Sequence, residues 1–482
     1  MSYEPVIGLE IHTQLQTESK LFCGCSTRFG APPNAQTCPV CLGLPGTLPV
    51  LNRRAVELAV KAALALGCEV HTESIFARKN YFYPDLPKGY QISQYDRPLA
   101  TGGALEFEVR GGPRRVGILR VHLEEDAGKS LHEGLPDSDR ATGLDFNRSG
   151  VPLIEIVSHP DVRNAADAAE CFSRLRAILV ATGVTDGNME EGSLRCDANI
   201  SVRAAGTGPF GVKTEIKNLN SFRHVQRALE FEIDRQIAVL RDGGRVVHET
   251  RLWDPGAGRT LSMRSKEEAH DYRYFPEPDL PPLQLERAAI EAIRATLPEL
   301  PDARRLRFIT QYGLSDYDAA LLAQSAALGC YFEAAAAAAG NPKAAGNWIM
   351  GELTRTMNEL GVGIETVPLA AAALGELIRL IDAGTISGVT AKDVFEKMYG
   401  TGRRAAEIVA AEGLARIDDE GAVEAAVGKV LAANADAVAQ YKTGKRQTFG
   451  FLVGQVIKAM AGKANPALVN TIMRRRLDQE QA

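Results

Sequence analysis

The stretch Val6-Ile7-Gly8-Leu9-Glu10-Ile11-His12-Thr13-Gln14-Leu15 decides how this chain is read. It alternates with period two: Leu9, Ile11 and Leu15 fall on one face, and Glu10, His12 and Gln14 on the other. That is the pattern of a half-buried strand. Its polar face carries a carboxylate and an imidazole two residues apart, close enough to serve one metal ion or one phosphate. One such strand is no more than a solvated sheet face, but four later stretches repeat the design.

In Gly117 to Asp126, GILRVHLEED, the residues Leu119, Val121 and Leu123 oppose Arg120, His122 and Glu124, and Glu125 and Asp126 close the run. In Asp145 to Val157, Glu155 sits between Ile154 and Ile156. A carboxylate buried there unpaired is costly, so it needs a cation. Cys196 to Arg203 sets Asp197, Asn199, Ser201 and Arg203 against Ala198, Ile200 and Val202. Val212 to Asn220 sets Lys213, Glu215 and Lys217 against Val212, Thr214 and Ile216. Strands of this kind build an antiparallel sheet with one face on a core and the other wet. Helices expected from caps and apolar stripes at Asn52–Leu66, Asn164–Thr182 and Ser221 to about Arg241 cover the apolar face. The wet face then holds Glu10, His12, His122, Glu124 or Glu125, Glu155, Asp197 and Glu215. So many carboxylates repel one another without cations. Bound Mg²⁺ is the economical expectation, since it takes oxygen ligands and usually arrives with substrate phosphates.

With 482 residues, several domains are expected. The composition, 45% hydrophobic and 24% charged, is that of a soluble protein. No apolar run is long enough to span a bilayer, and MSYEPVIGLE carries no leader-like segment, so no membrane is expected and the location is read as cytoplasmic. A net charge of −5 leaves nucleic-acid affinity to a local patch.

Cys23-Gly24-Cys25 and Cys38-Pro39-Val40-Cys41 place four thiols on two tight turns, the pattern of a closed, structural zinc site. Two reduced pairs beneath a loop are the bland alternative. Cys68, Cys171, Cys196 and Cys330 are scattered and read as small apolar residues. Arg78 to Gln91, RKNYFYPDLPKGYQ, interleaves tyrosines with lysines and an arginine, which suits base stacking and phosphate, or an aromatic loop over a sheet. Gly128-Lys129-Ser130 imitates the end of a P-loop, but Leu123 stands where that loop requires glycine, so the reading fails.

Pro278, Pro281 and Pro282 precede a shift to Ala- and Leu-rich helical spacing over 286–435. From Ala437 onward, eight lysines and arginines face two acids, a local basic footprint or a solvated basic helix surface.

GLEIHTQL, RKNYFYPDLPKGYQISQYD, HLEEDAGK, NRSGVPLIEIVS, GSLRCDANISVR, EIKNLNSF, DYRYFPEPDL and GFLVGQVIKAMAGKANP occur in this order, within a likeness that runs from residue 3 to about 477. Together they closely resemble the B-subunit family of aspartyl/glutamyl-tRNA amidotransferases. The resemblance implies an α+β chain: an antiparallel-sheet cradle domain with flanking helices (1–290), an all-α helical domain (291–408) and a small helical tail domain on the tRNA body (409–482). It implies ATP-dependent phosphorylation of the side-chain carboxylate of Asp-tRNA(Asn) or Glu-tRNA(Gln). Ammonia then displaces phosphate, giving Asn-tRNA or Gln-tRNA. An amidase subunit supplies the ammonia, and a small third subunit steadies the pair. No amidase signature lies in this chain.

By the family's pattern His12, Glu125 and Glu155 would hold one magnesium, and Glu10 and Glu215 a second ion that shares Glu125. Glu125, with Glu10 and Glu155 beside it, is the implied catalytic group. Strand parity instead favours Glu124 beside His122, and a bulge would reconcile the two. Lys79, Tyr81, Tyr83 and Lys88 are the implied contacts for ATP or the terminal adenosine. The cysteines occur in only some members, so Cys23, Cys25, Cys38 and Cys41 rest on spacing. The other readings are a non-catalytic tRNA-binding scaffold, indifferent to Mg²⁺ and ATP, and a free-standing ligase using ammonium.

Overall fold

The structure is a computed structural model that describes residues 2–479 except 110, 133, 135–139, 207, 266–271, 417–418 and 461–462. Asp271 and Ala461-Gly462 of the quoted stretches, and Glu480 of the basic tail, lie outside the described residues.

The main elements of the first unit are strands β1 (Tyr3–Gln14), β2 (Phe76–Asn80), β3 (Tyr90–Gln94), β4 (Gly112–Glu125), β5 (Pro152–Ser158), β6 (Leu194–Ala204), β7 (Thr214–Leu219), β8 (Glu249–Asp254) and β9 (Arg259–Ser265). The helices are α1 (Arg53–Ala65), α2 (Ala165–Ala181) and α3 (Phe222–Arg241). A ten-stranded sheet runs β9-β8-β7-β6-β1-β5-β4 and continues into short edge strands. All five alternating stretches are therefore consecutive neighbours, with the opening strand central.

The five pair antiparallel, as expected, but β7 and β8 run parallel. The reason lies in the chain between them. α3 is 20 residues long and carries the chain back across the sheet, and a crossover helix of that kind returns a strand in the same direction.

The helices start where their caps predict. The Asn52 side chain accepts from the amides of Arg54 and Ala55, Asn164 from Asp167 and Ser221 from His224. Such caps each stabilise a helix by about 1 kcal/mol. Gly67 ends the α1 turn at φ +68°, which suits glycine. Ala59, Val60 and Ala63 of α1, Phe172 and Leu175 of α2, and Val225 and Leu229 of α3 pack on Leu9, Ile11, Val121, Ile154, Ile156, Ala198 and Ile200. The sheet thus buries one face under helices and leaves the other for polar chemistry.

Contacts divide the chain into Met1–Pro301 and Asp302–Ala482. The expected 290/291 boundary falls inside the helix Arg287–Arg294, whose Ile290 is buried in the first core. The second unit is helical and holds two separate cores, one around Phe332, Leu377 and Phe395 and one around Val427, Leu452 and Met473. Part of its basic surface is spent internally. Arg475 pairs with Glu420 and Glu424, Arg476 pairs with Glu424, and Arg474 lies over the Phe449 ring. Among the described residues no single helix is long and apolar enough to cross a membrane.

Candidate active site

Register builds the site. His12 of β1 stands opposite Glu155 of β5, and Glu155 stands opposite His122 of β4. On the other side His12 faces Arg195 of β6, and Glu10 faces Asp197. Period-two geometry puts these side chains on the polar face, which is buried here and not open to solvent as expected.

Four of them touch. His12 Nε2 is 3.3 Å from Glu155 and 3.7 Å from Glu124. His122 Nε2 is 3.4 Å from Glu155 and 3.8 Å from Glu124. Glu124 and His122 are 2% and 3% exposed, so water screens little of this attraction. Burial would push His122 down, but Glu155 and Glu124 overcome it and raise it to about 9. His12 rises against its own burial for the same reason, Glu155 leading. Burial would raise both carboxylates, yet the imidazoles hold Glu124 below the usual range and Glu155 well below it. The carboxylates are thus kept ionised. Ligand atoms of His12, Glu124 and Glu155 all lie within 4.8 Å of one another.

Glu125, expected with His12 and Glu155, lies outside this group of contacts, where Glu124 stands instead. The register shift along the β4–β5 pair lies between Val157 and Ser158, away from Glu124 and Glu125, so strand parity holds at those two residues. Glu125 instead pairs with the Lys88 ammonium and accepts from the Ile92 amide at 2.9 Å.

Glu10 and Glu215 lie further along the same face. Asn199 donates to Glu10 at 2.8 Å, and Thr250 donates to Glu215 at 2.9 Å. Burial, then Glu155 and Glu215, raise Glu10. The Lys217 ammonium sits 2.5 Å from Asp197 and 3.1 Å from Glu215. Lys217 is raised despite its burial, because Asp197 and Glu215 flank it. At this end of the face a lysine supplies positive charge beside Asp197 and Glu215.

β2 and β3 form a small sheet that reaches over the carboxylates. Ser93 donates to Glu124 at 3.3 Å, and Gln91 donates to the Glu125 carbonyl at 2.7 Å. Lys79, paired in register with Gln91, has its ammonium 5.0 Å from the Tyr272 ring and 5.9 Å from the Tyr81 ring. Burial disfavours the charged lysine, but Glu124 foremost raises it. Tyr81 thus borders the cluster, Tyr83 packs edge-on against it at 6.0 Å, and Lys88 belongs with Glu125.

Sequence reasoning missed Tyr272 and Tyr274. They arrive with Phe275, which pairs with Arg78 some 200 positions away, and Arg78 locks the contact by gripping Glu277 at 2.7 and 2.8 Å. It also missed Asp126, which takes Arg195 and Gln14 at 2.8 Å each and lies 3.7 Å from Arg148. Parity with Asp197 was the available signal for Arg195.

Cys23, Cys25, Cys38 and Cys41 are gathered with all sulfurs within 4.8 Å, and none is in a disulfide. Sulfurs on a common tetrahedral zinc lie about 3.8 Å apart, given Zn–S of about 2.3 Å. Cys38 and Cys41 are 3.9 Å apart. The Cys38 amide donates to Cys41 Sγ at 3.1 Å. Contact with Cys23 foremost, then Cys38 and Lys20, draws Cys41 down despite burial, while Cys41 pushes Cys23 up and burial pushes Cys25 up. Lys20 is wholly buried, donating to the carbonyls of Gln36 and Phe146, and its ammonium is 3.5 Å from Cys41 Sγ. The donor set fits zinc. A cavity of about 200 Å³ joins this knuckle to Lys88 and Glu125.

The GatB/GatE catalytic domain family matches residues 5–291, and the GatB domain family matches 330–477. The chain is 56% identical over 475 residues to the B subunit of the aspartyl/glutamyl-tRNA(Asn/Gln) amidotransferase of Carboxydothermus hydrogenoformans, covering 98% of this chain and 99% of that one. It is 54% identical over 477 residues to the same-named B subunit of Geotalea daltonii, covering 99% and 100%. It is 56% identical over 479 residues to that of Anaeromyxobacter sp., covering 98% and 99%. On fold, site and this near full-length match, the chain belongs to the B-subunit family of the aspartyl/glutamyl-tRNA(Asn/Gln) amidotransferases.

Proposed function

We propose that this chain is the component of a tRNA-dependent amidotransferase that activates and amidates the substrate, a carbon–nitrogen ligase using glutamine as amido donor. A side-chain carboxylate oxygen of Asp-tRNA(Asn) or Glu-tRNA(Gln) attacks the γ-phosphorus of ATP, and ADP leaves. Ammonia then attacks the acyl carbon, phosphate leaves, and the nitrogen gives up a proton as the amide forms. The observation that carries this reading is the His12, Glu124 and Glu155 group on the floor of the cradle.

Two anions must meet there. The ionised, buried carboxylates and one imidazole fit a divalent cation, and Mg²⁺ is the fitting choice because its remaining partners are phosphate oxygens. Bound, it would neutralise charge on the transferring phosphoryl group. Lys79, over the same carboxylates, supplies a fixed positive charge for phosphate. Tyr81 and Tyr83 flank it for the nucleotide or terminal adenosine. Glu125, held by Lys88, is placed to accept the proton that the ammonia nitrogen releases. Glu10 and Glu215 sit beside the first group, with Lys217 serving where a second ion was expected. The four cysteines hold structural zinc beneath this floor.

The ammonia comes from a partner amidase chain, and a small third chain completes the assembly. With charged tRNA as substrate, the location is cytoplasmic. The helical tail meets the body of the tRNA. The test is ATP cleavage by the assembled complex with misacylated tRNA. Cleavage should require both Mg²⁺ and the charged tRNA. Cleavage unchanged when this chain is omitted would leave it a tRNA-presenting scaffold.

A further inference from the structure

Lys20 precedes the first knuckle cysteine, Cys23, and is wholly buried. Its amide donates to the Cys25 carbonyl at 2.9 Å and so closes the first knuckle. Its ammonium donates to the carbonyls of Gln36 at 2.8 Å and Phe146 at 3.2 Å, and lies 3.5 Å from Cys41 Sγ. The backbone of this residue therefore holds one knuckle and its side chain the other.

A buried cation needs an anion, and two carbonyls do not supply one. Among the described residues no carboxylate pairs with Lys20. Glu125 and Asp279 line the cavity of about 200 Å³ beside it, and both are taken: Glu125 pairs with Lys88, and Asp279 lies 3.2 Å from Arg78. What remains is sulfur. The knuckle has the converse fault, since four thiolates around one Zn²⁺ leave negative charge uncompensated in a partly buried site. The contact between Lys20 and Cys41 answers both. Gly150 shows how closely the two are fitted: a Cβ there would stand 3.4 Å from Cys41 Cβ and 3.5 Å from Lys20 Cδ, on backbone at φ +85°.

We propose that Lys20 is a positioning residue of the zinc knuckle, its ammonium compensating thiolate charge at Cys41. The proposal rests on the zinc reading above and adds to it a residue outside the four ligands. Groups that hydrogen-bond to a metal's ligands set its affinity, and losing one weakens binding about ten- to hundred-fold.

The experiment is competition for zinc between the full-length chain and a chromogenic chelator, with circular dichroism as the check on folding. Lys20→Met removes the charge and both carbonyl contacts. Lys20→Gln removes the charge but keeps a donor for the carbonyls. Both should bind zinc about ten- to hundred-fold more weakly than wild type. Cys41→His replaces the contacted thiolate with a neutral ligand, so adding Lys20→Met to it should cost little further affinity. If Lys20→Met fails to fold, Lys20→Gln carries the comparison. Wild-type affinity in the neutral variants overturns the proposal. So does zinc kept by Lys20→Gln and lost by Lys20→Met, which would make Lys20 a tie between carbonyls, and so does an equal loss with and without Cys41→His. A wild type that binds no zinc would overturn the zinc reading itself, and the proposal with it.

Discussion

His12 and Glu155 stand opposite each other on neighbouring antiparallel strands, with the imidazole Nε2 3.3 Å from the carboxylate. This pair is the centre of a charge-matched cluster in which His12 and His122 share Glu124 and Glu155. Replacing Glu155 by Gln keeps the shape and removes one charge. ATP cleavage and amidation should fall by about two orders of magnitude, the usual effect of losing one electrostatic group at a developing charge. Steady-state kinetics of the complex, with circular dichroism as a check on folding, measure this.

Lys88 and Glu125 are both nearly buried, with side chains 8% and 3% exposed. Removing one partner of such a pair strands the other charge. Lys88→Met should destabilise the cradle by about 3–5 kcal/mol. Adding Glu125→Gln to that variant should restore most of the loss, because the amide keeps the Ile92 contact and carries no charge. Urea unfolding of the single and double variants tests the coupling.

Asp126 gives the chain an acid limb. Burial would raise it, but Arg195 and Arg148 more than offset this and hold it below its ordinary value. A carboxylate depressed in the fold stabilises fully above its unfolded pKa and loses that contribution as pH falls through its lowered folded value. Wild-type stability should therefore drop below about pH 4 more steeply than that of Asp126→Asn. Thermal midpoints measured against pH would show the two curves converging at low pH.

The four-cysteine group predicts bound metal. The purified chain should carry about one zinc per molecule, and Cys41→Ser should lose it. Because structural zinc contributes folding free energy, the thermal midpoint should fall by about 5 °C or more on chelation. Elemental analysis and thermal unfolding with and without chelator settle the point.

The sheet was legible because one of its faces is polar, although the small sheet buries that face at His122, Glu124 and Glu155. Alternation such as that of Leu9, Ile11, Glu10 and His12 is written along a single strand, and register then aligns strands that share the pattern. Parity likewise placed Glu124 beside His122, and the two lie 3.8 Å apart. What sequence could not show is pairing over distance. Nothing near Tyr272 or Tyr274 says that Phe275 will pair with Arg78, or that Lys88 will cross to Glu125. The parallel β7–β8 pair was hidden in the same way, since direction depends on where α3 returns the chain and not on the composition of either strand.

The most direct measurement compares Glu124→Gln with Glu125→Gln in the assembled complex, using misacylated tRNA and γ-labelled ATP, with glutamine hydrolysis followed separately. Glu124→Gln should abolish ATP cleavage and amidation while the partner still hydrolyses glutamine. Glu125→Gln should retain ATP cleavage and lose amidation. If Glu124→Gln cleaves ATP as wild type does, the group of His12, Glu124 and Glu155 is not the phosphoryl-transfer site, and the central claim is wrong.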